Sequence, residues 1–471
     1  MACRSSRVRH ARVVDHLLWS GALIAMAALG TGRASAGTGS RPPPDLAAGR
    51  AAYLQFCARC HGLEGRGDGL DAARFYPRPR DLSMGVYKFR STTSGTPPTD
   101  EDLFQTITRG LPGSNMPDWQ HLDEATRWQL VAYLKSLSPL FTQVTPEPVA
   151  LPADPGRTHA DLAKGKALYT KLGCASCHGP QGRANGPSAA GLVDDWGKKI
   201  RPADLTKGWN YRGGNTPRDV LLRMLTGIDG AGMPSYAGAV SPEDAWQLAY
   251  DVTSLQEPPH WNRIAHAGAS PGPLPTSWDD PRWEAAERTD LRLRNVVNPD
   301  GEWADPPTLS SIAFQVLVNA DAMALRLTWD DPSQDIQIPA DALAVFLKPT
   351  DARGDVVTLQ AWPLAGGPTL DVCYWSSEVG AAHEMLADGV GRVMASSRSG
   401  VALTGAAAYD DGRWHLVLQR SLSPAAPQGA ASLRHGEFAS MGFAVWDGAN
   451  GGARAVSPWI DVVLSTDEPR R

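Results

Sequence analysis

The residues with the clearest chemical potential are two matching arrangements of cysteine and histidine. Each is a Cys-x-x-Cys-His unit, and their members are Cys57, Cys60, His61, Cys174, Cys177 and His178. Two thiols at this spacing match the two vinyl groups of a porphyrin, and the adjacent imidazole can reach its iron. A single Cys-x-x-Cys would equally suit a zinc or redox site. Two such units favour two covalently bound haem c groups, with the cysteines as tethers and the histidines as iron ligands.

A sixth iron ligand is predicted at the same distance after each unit. Met116 and Met233 each follow the first cysteine of their unit by 59 residues, in a Gly-containing loop and directly before a proline. A thioether ligand raises the reduction potential of a haem. Met84, Met224 and His121 are alternatives, but Met224 lies inside a predicted helix and the other two have no counterpart in the second unit. We therefore predict Met116 and Met233 as the distal ligands.

The two units belong to a tandem repeat, because cysteines and methionines recur together at an offset of 117 residues. Helices are predicted before the cysteines at 46–56 and 162–172 from their apolar spacing. Two further helices begin at the capping residues Thr99 and Thr216 and end at glycine. A last helix follows each methionine, at 123–137 and 242–255.

Two Pro-rich stretches, 141–160 and 257–275, show no apolar periodicity and are predicted to be linkers. They divide the chain into three parts, which we call the first repeat (42–140), the second repeat (161–256) and the C-terminal segment (276–471). Short apolar or alternating runs between turn residues predict that the C-terminal segment is an antiparallel β-sandwich. The predicted fold class is therefore multidomain, with two all-α domains followed by an all-β sandwich.

The C-terminal segment offers little chemistry by itself. His415 is expected on the solvent face of its strand, His383 in a polar loop, residues 330–331 in a turn, and Cys373 in the core. The segment carries 15 basic and 26 acidic residues. This negative charge suits either a docking surface for a basic partner or a solvated face that aids solubility.

The N-terminus indicates export. Residues 1–36 combine four early arginines, an apolar run at 17–29 and the sequence Ala34-Ser35-Ala36, which together predict a cleaved signal peptide and a periplasmic location. An uncleaved membrane anchor is the alternative, although the run is short for a span. After cleavage we expect no integral membrane segment. With 45 basic and 50 acidic residues the chain lacks the basic excess of a nucleic-acid-binding protein.

Residues 45–256 resemble a tandem class I cytochrome c. The resemblance rests on the paired Cys-x-x-Cys-His units and Met-Pro loops, and it implies helices around one edge-exposed haem per domain and a role in electron transfer. The C-terminal segment resembles the haem-binding γ subunit of ethylbenzene dehydrogenase and related periplasmic molybdenum enzymes. The phrases that carry this resemblance begin at Trp329, Asp341, Asp411, Phe443 and Ser457.

The resemblance also implies a b-type haem held between a methionine and a lysine, but this sequence departs at both places. The corresponding stretches, 363–368 and 451–456, contain neither residue. Arg454 cannot replace the lysine because a guanidinium offers no lone pair to iron. Lys348 is the single lysine of residues 276–471, which leaves an unusual pairing with another methionine as the alternative. We predict that the sandwich binds no haem b.

Together these features predict an exported electron-transfer protein with two haem c groups and no catalytic residue. Its partners would be a periplasmic oxidoreductase, such as a molybdenum enzyme, and a respiratory-chain protein or other cytochrome. One alternative is a dihaem enzyme that oxidises a small inorganic or sulfur substrate. Another is a ligand-binding or scaffolding sandwich to which cytochromes are attached.

Overall fold

Helices occupy the first half of the described chain and strands the second half, which confirms the predicted fold class. The computed structural model describes residues 41–296, 309–348, 370–388, 392–395, 402–422, 431, 433–434, 436–451 and 453–465. The predicted signal peptide (1–36) and the stretch 363–368 lie outside these residues, so the inferences about them stay predictions. Within the described residues, no helix is both long and apolar enough to cross a bilayer.

Each repeat is built from the helices that the sequence predicts, with a short helical turn added at each Cys-x-x-Cys-His unit. The helices are α1 Leu46–Phe56, α2 Ala58–His61, α3 Asp100–Arg109, α4 Glu124–Ser136, α5 Leu140–Gln143, α6 Leu162–Lys171, α7 Ala175–His178, α8 Pro217–Thr226 and α9 Pro242–Ser254. Thr99 and Thr216 form reciprocal capping boxes with Asp102 and Asp219. These caps satisfy amides at the helix start that would otherwise have no acceptor.

The first and last long helices of each repeat cross at a glycine. At Gly49 of α1, an added Cβ would lie 2.2 Å from the carbonyl oxygen of Gln129 in α4. The second repeat has the same contact, because a Cβ on Gly165 of α6 would lie 2.4 Å from the carbonyl oxygen of Gln247 in α9. Any side chain at these positions would push the helices apart, so both helix pairs depend on glycine for their close approach.

The C-terminal segment, together with residues 264–269 before it, forms a sandwich of two packed sheets. Its strands are β1 Ile264–His266, β2 Gly268–Ala269, β3 Thr289–Arg292, β4 Arg294–Val296, β5 Ser311–Val318, β6 Ala322–Asp330, β7 Ala342–Leu347, β8 Leu370–Ser376, β9 Ala382–Asp388, β10 Arg392–Ala395, β11 Leu403–Asp410, β12 Arg413–Ser421, β13 Phe438–Asp447, β14 Ala453–Val456 and β15 Ile460–Val463. One sheet has the order β1-β15-β13-β7-β8-β9-β10, and in addition β14 pairs with β13 and β4 pairs with β14. The other has the order β11-β12-β6-β5-β2, and β3 pairs with β5.

A continuous apolar core lies between the two sheets. Phe314 of β5 meets Phe443 of β13 with ring centroids 5.0 Å apart, and Trp329, Trp375 and Trp414 form a buried aromatic group at one end. Cys373 is fully buried in this core, as the sequence predicts. The apolar faces of the two sheets therefore pack against each other, as the alternating strand pattern predicts.

The two Pro-rich stretches are more structured than a linker. Residues 264–269 add β1 in parallel to β15 and β2 in parallel to β5, so this stretch supplies an edge strand to each sheet. In the first stretch, the amide of Val149 donates to the carbonyl of Ser91 at 2.8 Å. Proline removes one amide donor, but the residues between the prolines keep theirs and pair with neighbouring backbone.

Three expectations for the sandwich were wrong. His383 lies in strand β9 and not in a loop. Asp331 is fully buried and not a surface turn residue. His415 is half-buried, with its ring stacked on Trp278 at a centroid distance of 3.9 Å. Trp278 comes from the chain between β2 and β3, so strand alternation around His415 gave no indication of its cover.

The burial of His415 makes a pH-dependent contribution to stability. Burial, followed by repulsion from Arg413 and Arg326, lowers its pKa to about 4, whereas an unfolded histidine titrates near 6.5. The unfolded chain therefore binds a proton first, and stability is lost as the pH falls from about 6.5 to 4. Relative to His415→Gln, we expect the native protein to lose about 2 kcal/mol over this window. Urea unfolding at pH 7 and pH 4.5 measures this; parallel pH profiles for the two proteins would contradict it.

Candidate haem sites

The two Cys-x-x-Cys-His units have the same local geometry. Nδ1 of His61 lies 3.1 Å from the carbonyl oxygen of Arg80, and Nδ1 of His178 lies 2.8 Å from that of Ala203. Arg80 and Ala203 occupy the same place in the repeated Arg-Pro-x-Asp-Leu sequence. A carbonyl that accepts a hydrogen bond from Nδ1–H keeps the proton on that nitrogen, which leaves Nε2 with its lone pair free for a metal.

Burial lowers the pKa of both His61 and His178, and the backbone hydrogen bond only partly opposes this effect. Both rings are therefore neutral at physiological pH, which is the form that binds iron. The turn after each histidine is fixed by a tyrosine of the preceding helix. The Tyr53 hydroxyl donates to the carbonyl of Gly62 at 2.8 Å, and Tyr169 donates to that of Gly179 at 2.7 Å.

The predicted methionine ligands lie in matching loops. The amide of Leu111 donates to the carbonyl of Met116, and the amide of Ile228 donates to that of Met233, each at 3.0 Å. Both methionines are half-buried. Among the alternatives, Met84 is 54% exposed and has no such loop. The ligand roles of Met116 and Met233 stay predictions.

The second unit opens onto a large cavity of about 1450 Å³. A typical ligand pocket measures roughly 300–1,000 Å³, so a macrocycle has room here. The structure brings the predicted residues of the second repeat together around this cavity, which is lined by Cys174, Cys177, His178 and Met233. Met224 of α8 also lines it, so this residue stays the competing sulfur donor.

The walls of this cavity come from all three parts of the chain. The first repeat contributes Tyr76 and Phe89 together with residues 113–115, which directly precede Met116. The sandwich contributes residues 292–296 and Gly412. An added Cβ on Gly113 would lie 1.6 Å from the amide oxygen of Asn210, so this glycine is what lets the methionine loop reach the second repeat. Sequence reasoning placed none of the lining residues outside the second repeat in this cavity.

Buried positive charge surrounds the junction of the two repeats. Burial lowers the pKa of Arg80 to about 10, that of Lys88 to about 8 and that of Arg223 to about 10. Several buried donors find no hydrogen-bond partner among the described residues, and these include Nη1 of Arg80, the Tyr87 hydroxyl and Nε1 of Trp119. Buried cations and unpaired donors call for an anionic acceptor, and the two propionate groups of a haem supply such acceptors. The residues present therefore fit haem.

The two repeats are joined by a buried ion pair. Nη2 of Arg90 lies 2.7 Å from Oδ2 of Asp229 and also donates to the carbonyl of Thr226 at 3.0 Å. The Arg90 side chain is fully buried. Ser94 donates to the other oxygen of Asp229 at 2.7 Å. Both oxygens of the Asp229 carboxylate therefore accept from side chains of the first repeat, which fixes the second repeat relative to the first.

A second set of charges joins the second repeat to the sandwich. Lys207 pairs with Asp330 at the end of β6, and Arg413 of β12 contacts the same carboxylate at 2.6 Å. These two cations outweigh the effect of burial and lower the pKa of Asp330. Arg183 adds an ion pair of 2.8 Å to Asp411. These ion pairs hold the sandwich against the second repeat, beside the cavity at the second Cys-x-x-Cys-His unit.

Comparisons with known proteins assign each part of the chain. Residues 44–134 match the model of the cytochrome c oxidase cbb3-type subunit III family, and residues 162–256 match that of the cytochrome c family. Residues 382–455 match the ethylbenzene dehydrogenase family. The chain contains two cytochrome c domains and an ethylbenzene dehydrogenase-family domain. A cytochrome c domain implies covalently bound haem c with its iron.

The chain is also similar to individual known proteins. A Haloferax mediterranei protein that bears the name respiratory nitrate reductase heme subunit ORF7 is 28% identical over 33% of this chain and 56% of its own. The cbb3-type cytochrome c oxidase subunit CcoP of an Azospirillum species is 28% identical over 45% of this chain and 62% of its own. The chain thus spans less than two thirds of these relatives. The solved Kuenenia stuttgartiensis reducing HAO-like protein complex is 44% identical over 45% of this chain and 96% of its own, with a TM-score of 0.42.

Two methionines, the lysine and Arg454 of the sandwich can be compared with the methionine and lysine pair that a haem b would need. Met323 and Met441 are fully buried in the core between the sheets. Lys348 follows the core residue Leu347 and therefore faces away from that core. Burial lowers the pKa of Arg454, yet its guanidinium still has no lone pair for iron. These positions do not fit the expected methionine and lysine pair.

Proposed function

We propose that this chain is an exported cytochrome with two haem c groups that passes electrons between a periplasmic oxidoreductase and a second redox protein. Cys57, Cys60, Cys174 and Cys177 tether the haems, and His61, Met116, His178 and Met233 hold the iron atoms. One observation carries the proposal: residues 113–115, which lead into Met116, line the cavity of the second haem site. The distal side of one site therefore borders the other site.

Haem c supplies a one-electron couple between ferric and ferrous iron. The protein's part is to fix the distance between the two sites and the charge around them. The buried Arg90–Asp229 pair fixes the distance, because it orders the interface of the two cytochrome domains. The half-buried cations Arg80, Lys88 and Arg223 would compensate the propionate charge of a bound haem, which would adjust the potential of its iron. Electrons can then move between the sites within one chain.

The oxidoreductase partner is inferred from the relatives. One relative bears the name of a respiratory nitrate reductase heme subunit, and residues 382–455 match the ethylbenzene dehydrogenase family. Proteins of the latter kind serve periplasmic molybdenum enzymes, as the resemblance implies, so we propose an enzyme of this class as the partner. The electrons would leave to, or arrive from, a respiratory-chain protein or another cytochrome.

The haem count of the purified protein tests this proposal. We expect two c-type haems per chain by pyridine haemochrome, no haem extractable by acid acetone, and one haem per chain in both Cys57→Ser/Cys60→Ser and Cys174→Ser/Cys177→Ser. Each variant should be reducible chemically but should transfer electrons between donor and acceptor at least tenfold more slowly than the native protein. Cys373→Ser is the matched control, because this buried cysteine lies outside both units. One haem in the native protein, or full transfer by either double variant, would overturn the proposal.

A further inference from the structure

Four acidic residues of the sandwich converge at one point although they are far apart in the sequence. Asp331, Asp335 and Asp341 lie in the loop that leads from β6 to β7, and Asp447 ends β13. One carboxylate oxygen from each lies within 4.8 Å of the others. The loop crosses from one sheet to the other, so the cluster sits where the two sheets are joined.

The cluster is buried. Asp331 and Asp341 are fully buried, Asp447 is 1% exposed, and Asp335 is half-buried. Several like charges so close together in a buried site repel one another and cannot all ionise without a compensating cation. Burial, followed by Asp447 and Asp341, raises the pKa of Asp331 to about 9. The main charges that act on Asp331 are thus carboxylates.

Each carboxylate is oriented by a donor. Oδ1 of Asp341 accepts from the amide of Gly448 at 2.9 Å, and its Oδ2 accepts from Nε1 of Trp414 at 3.0 Å. Oδ2 of Asp335 accepts from the Ser333 hydroxyl at 2.7 Å. The amide of Asp335 also donates to Oδ2 of Asp341 at 2.8 Å, so two donors occupy that oxygen. Oδ1 of Asp341 accepts a single bond and keeps a lone pair.

One oxygen of the cluster accepts no hydrogen bond from the part of the chain that the structure describes. Asp331 has no exposed surface, and its Oδ1 accepts from the amide of Ser333 at 3.3 Å, but its Oδ2 is buried and has no partner among the described residues. A buried, unpartnered carboxylate oxygen is costly and calls for a ligand. Three further carboxylates gathered around the same residue identify the ligand as a cation and not as a hydrogen-bond donor of the chain.

We propose that Asp331, Asp335, Asp341 and Asp447 bind a calcium ion. An all-oxygen donor set excludes the soft and borderline metals, which prefer sulfur and imidazole. Calcium takes six to eight oxygen ligands at about 2.3–2.6 Å, so oxygens on opposite sides of the ion lie about 4.6–5.2 Å apart. The four oxygens lie within 4.8 Å of one another, which is compatible with this geometry. Magnesium demands a near-ideal octahedron and usually keeps several waters, so four protein carboxylates suit calcium better.

The ion would connect the sandwich to the second haem site. Asp331 follows Asp330, which pairs with Lys207 of the second cytochrome domain, and its amide donates to the carbonyl of Gly412 at 2.9 Å. Asp330 and Gly412 both line the haem cavity. Calcium would therefore hold the loop that forms this wall, and its binding does not depend on which partner the cytochrome serves.

Calcium binding to the haem-loaded full chain tests the site. After removal of metals with EDTA, equilibrium dialysis against calcium chloride followed by elemental analysis should give one calcium per chain, with magnesium at least tenfold weaker. Scanning calorimetry should show that 1 mM calcium raises the unfolding temperature of the sandwich by about 5 to 10 °C. Asp331→Asn should lose the bound calcium and this shift.

Asp371→Asn is the matched control. Asp371 is another fully buried aspartate of the sandwich, but it pairs with Arg420, so its replacement should lower the unfolding temperature and leave the calcium shift intact. If Asp331→Asn does not fold, the dialysis result for the native chain still decides. Absence of calcium from the native chain, or retention of the shift by Asp331→Asn, would overturn the proposal. The former result together with greater stability at low pH would show that the carboxylates share protons instead.

Discussion

Replacing Met233 with histidine is expected to lower the reduction potential of the second haem by on the order of 0.2 V, within the roughly 0.8 V range that axial ligands span. A thioether stabilises ferrous iron, and an imidazole in its place favours ferric iron. Met233 lies in a loop fixed by the hydrogen bond from Ile228 and faces the cavity that contains His178. A redox titration should therefore show one of two waves displaced, with loss of the iron–sulfur absorption of that haem in the near infrared.

Met224→Leu is the control for this experiment. Met224 also lines the cavity but lies within helix α8 and is 5% exposed. A leucine conserves its volume and removes its sulfur, so both waves should keep their positions. If Met224→Leu displaces a wave and Met233→His does not, the distal ligand is Met224 and our assignment is wrong.

Replacing Arg90 with methionine is expected to destabilise the junction of the two cytochrome domains by about 3–5 kcal/mol, the cost of breaking a buried ion pair. The change leaves Asp229 without its cation and the carbonyl of Thr226 without its donor. Denaturant unfolding followed by haem absorbance measures the loss. Electron exchange between the haems should also slow, because this pair orders the interface.

Lys135→Met provides the comparison for Arg90. Lys135 pairs with Asp100 at 2.6 Å, but both side chains are partly exposed, at 34% and 24%. An exposed pair contributes about 1 kcal/mol or less. Equal losses for the two variants would mean that the Arg90 pair is no more than a surface contact. Addition of Asp229→Asn to Arg90→Met should recover part of the loss, since it removes the uncompensated charge.

The sequence was sufficient to predict a helix cap or a candidate site wherever the residues that form it are close together in the chain or are repeated. Thr99 and Asp102 lie three residues apart, so their capping box could be predicted from spacing alone. The Cys-x-x-Cys-His units and methionine loops could be recognised as candidate haem sites because both occur twice with equal spacing. Both cases depend on residues that are neighbours in the chain or are matched by a duplicate.

Contacts over long sequence distances could not be predicted in this way. Trp278 covers His415 although 137 residues separate them, and Gly113 meets Asn210 of the other repeat. Aspartate is common in turns, so residue 331 was expected in one. Only the position of Asp447, in another strand, shows that Asp331 belongs to a buried cluster. Periodicity reports which face of a strand is apolar, but it does not report what packs against the polar face.

All three parts of the chain line the cavity at the second Cys-x-x-Cys-His unit, and this has a consequence for the biogenesis of the protein. Its walls include residues as distant in sequence as Arg74 and Gly412, and a chain is made and generally folds from its N-terminus. The thiols of Cys174 and Cys177 are thus synthesised before the sandwich residues that line the same cavity. We expect a haem to be attached to these thiols before the C-terminal domain docks beside them.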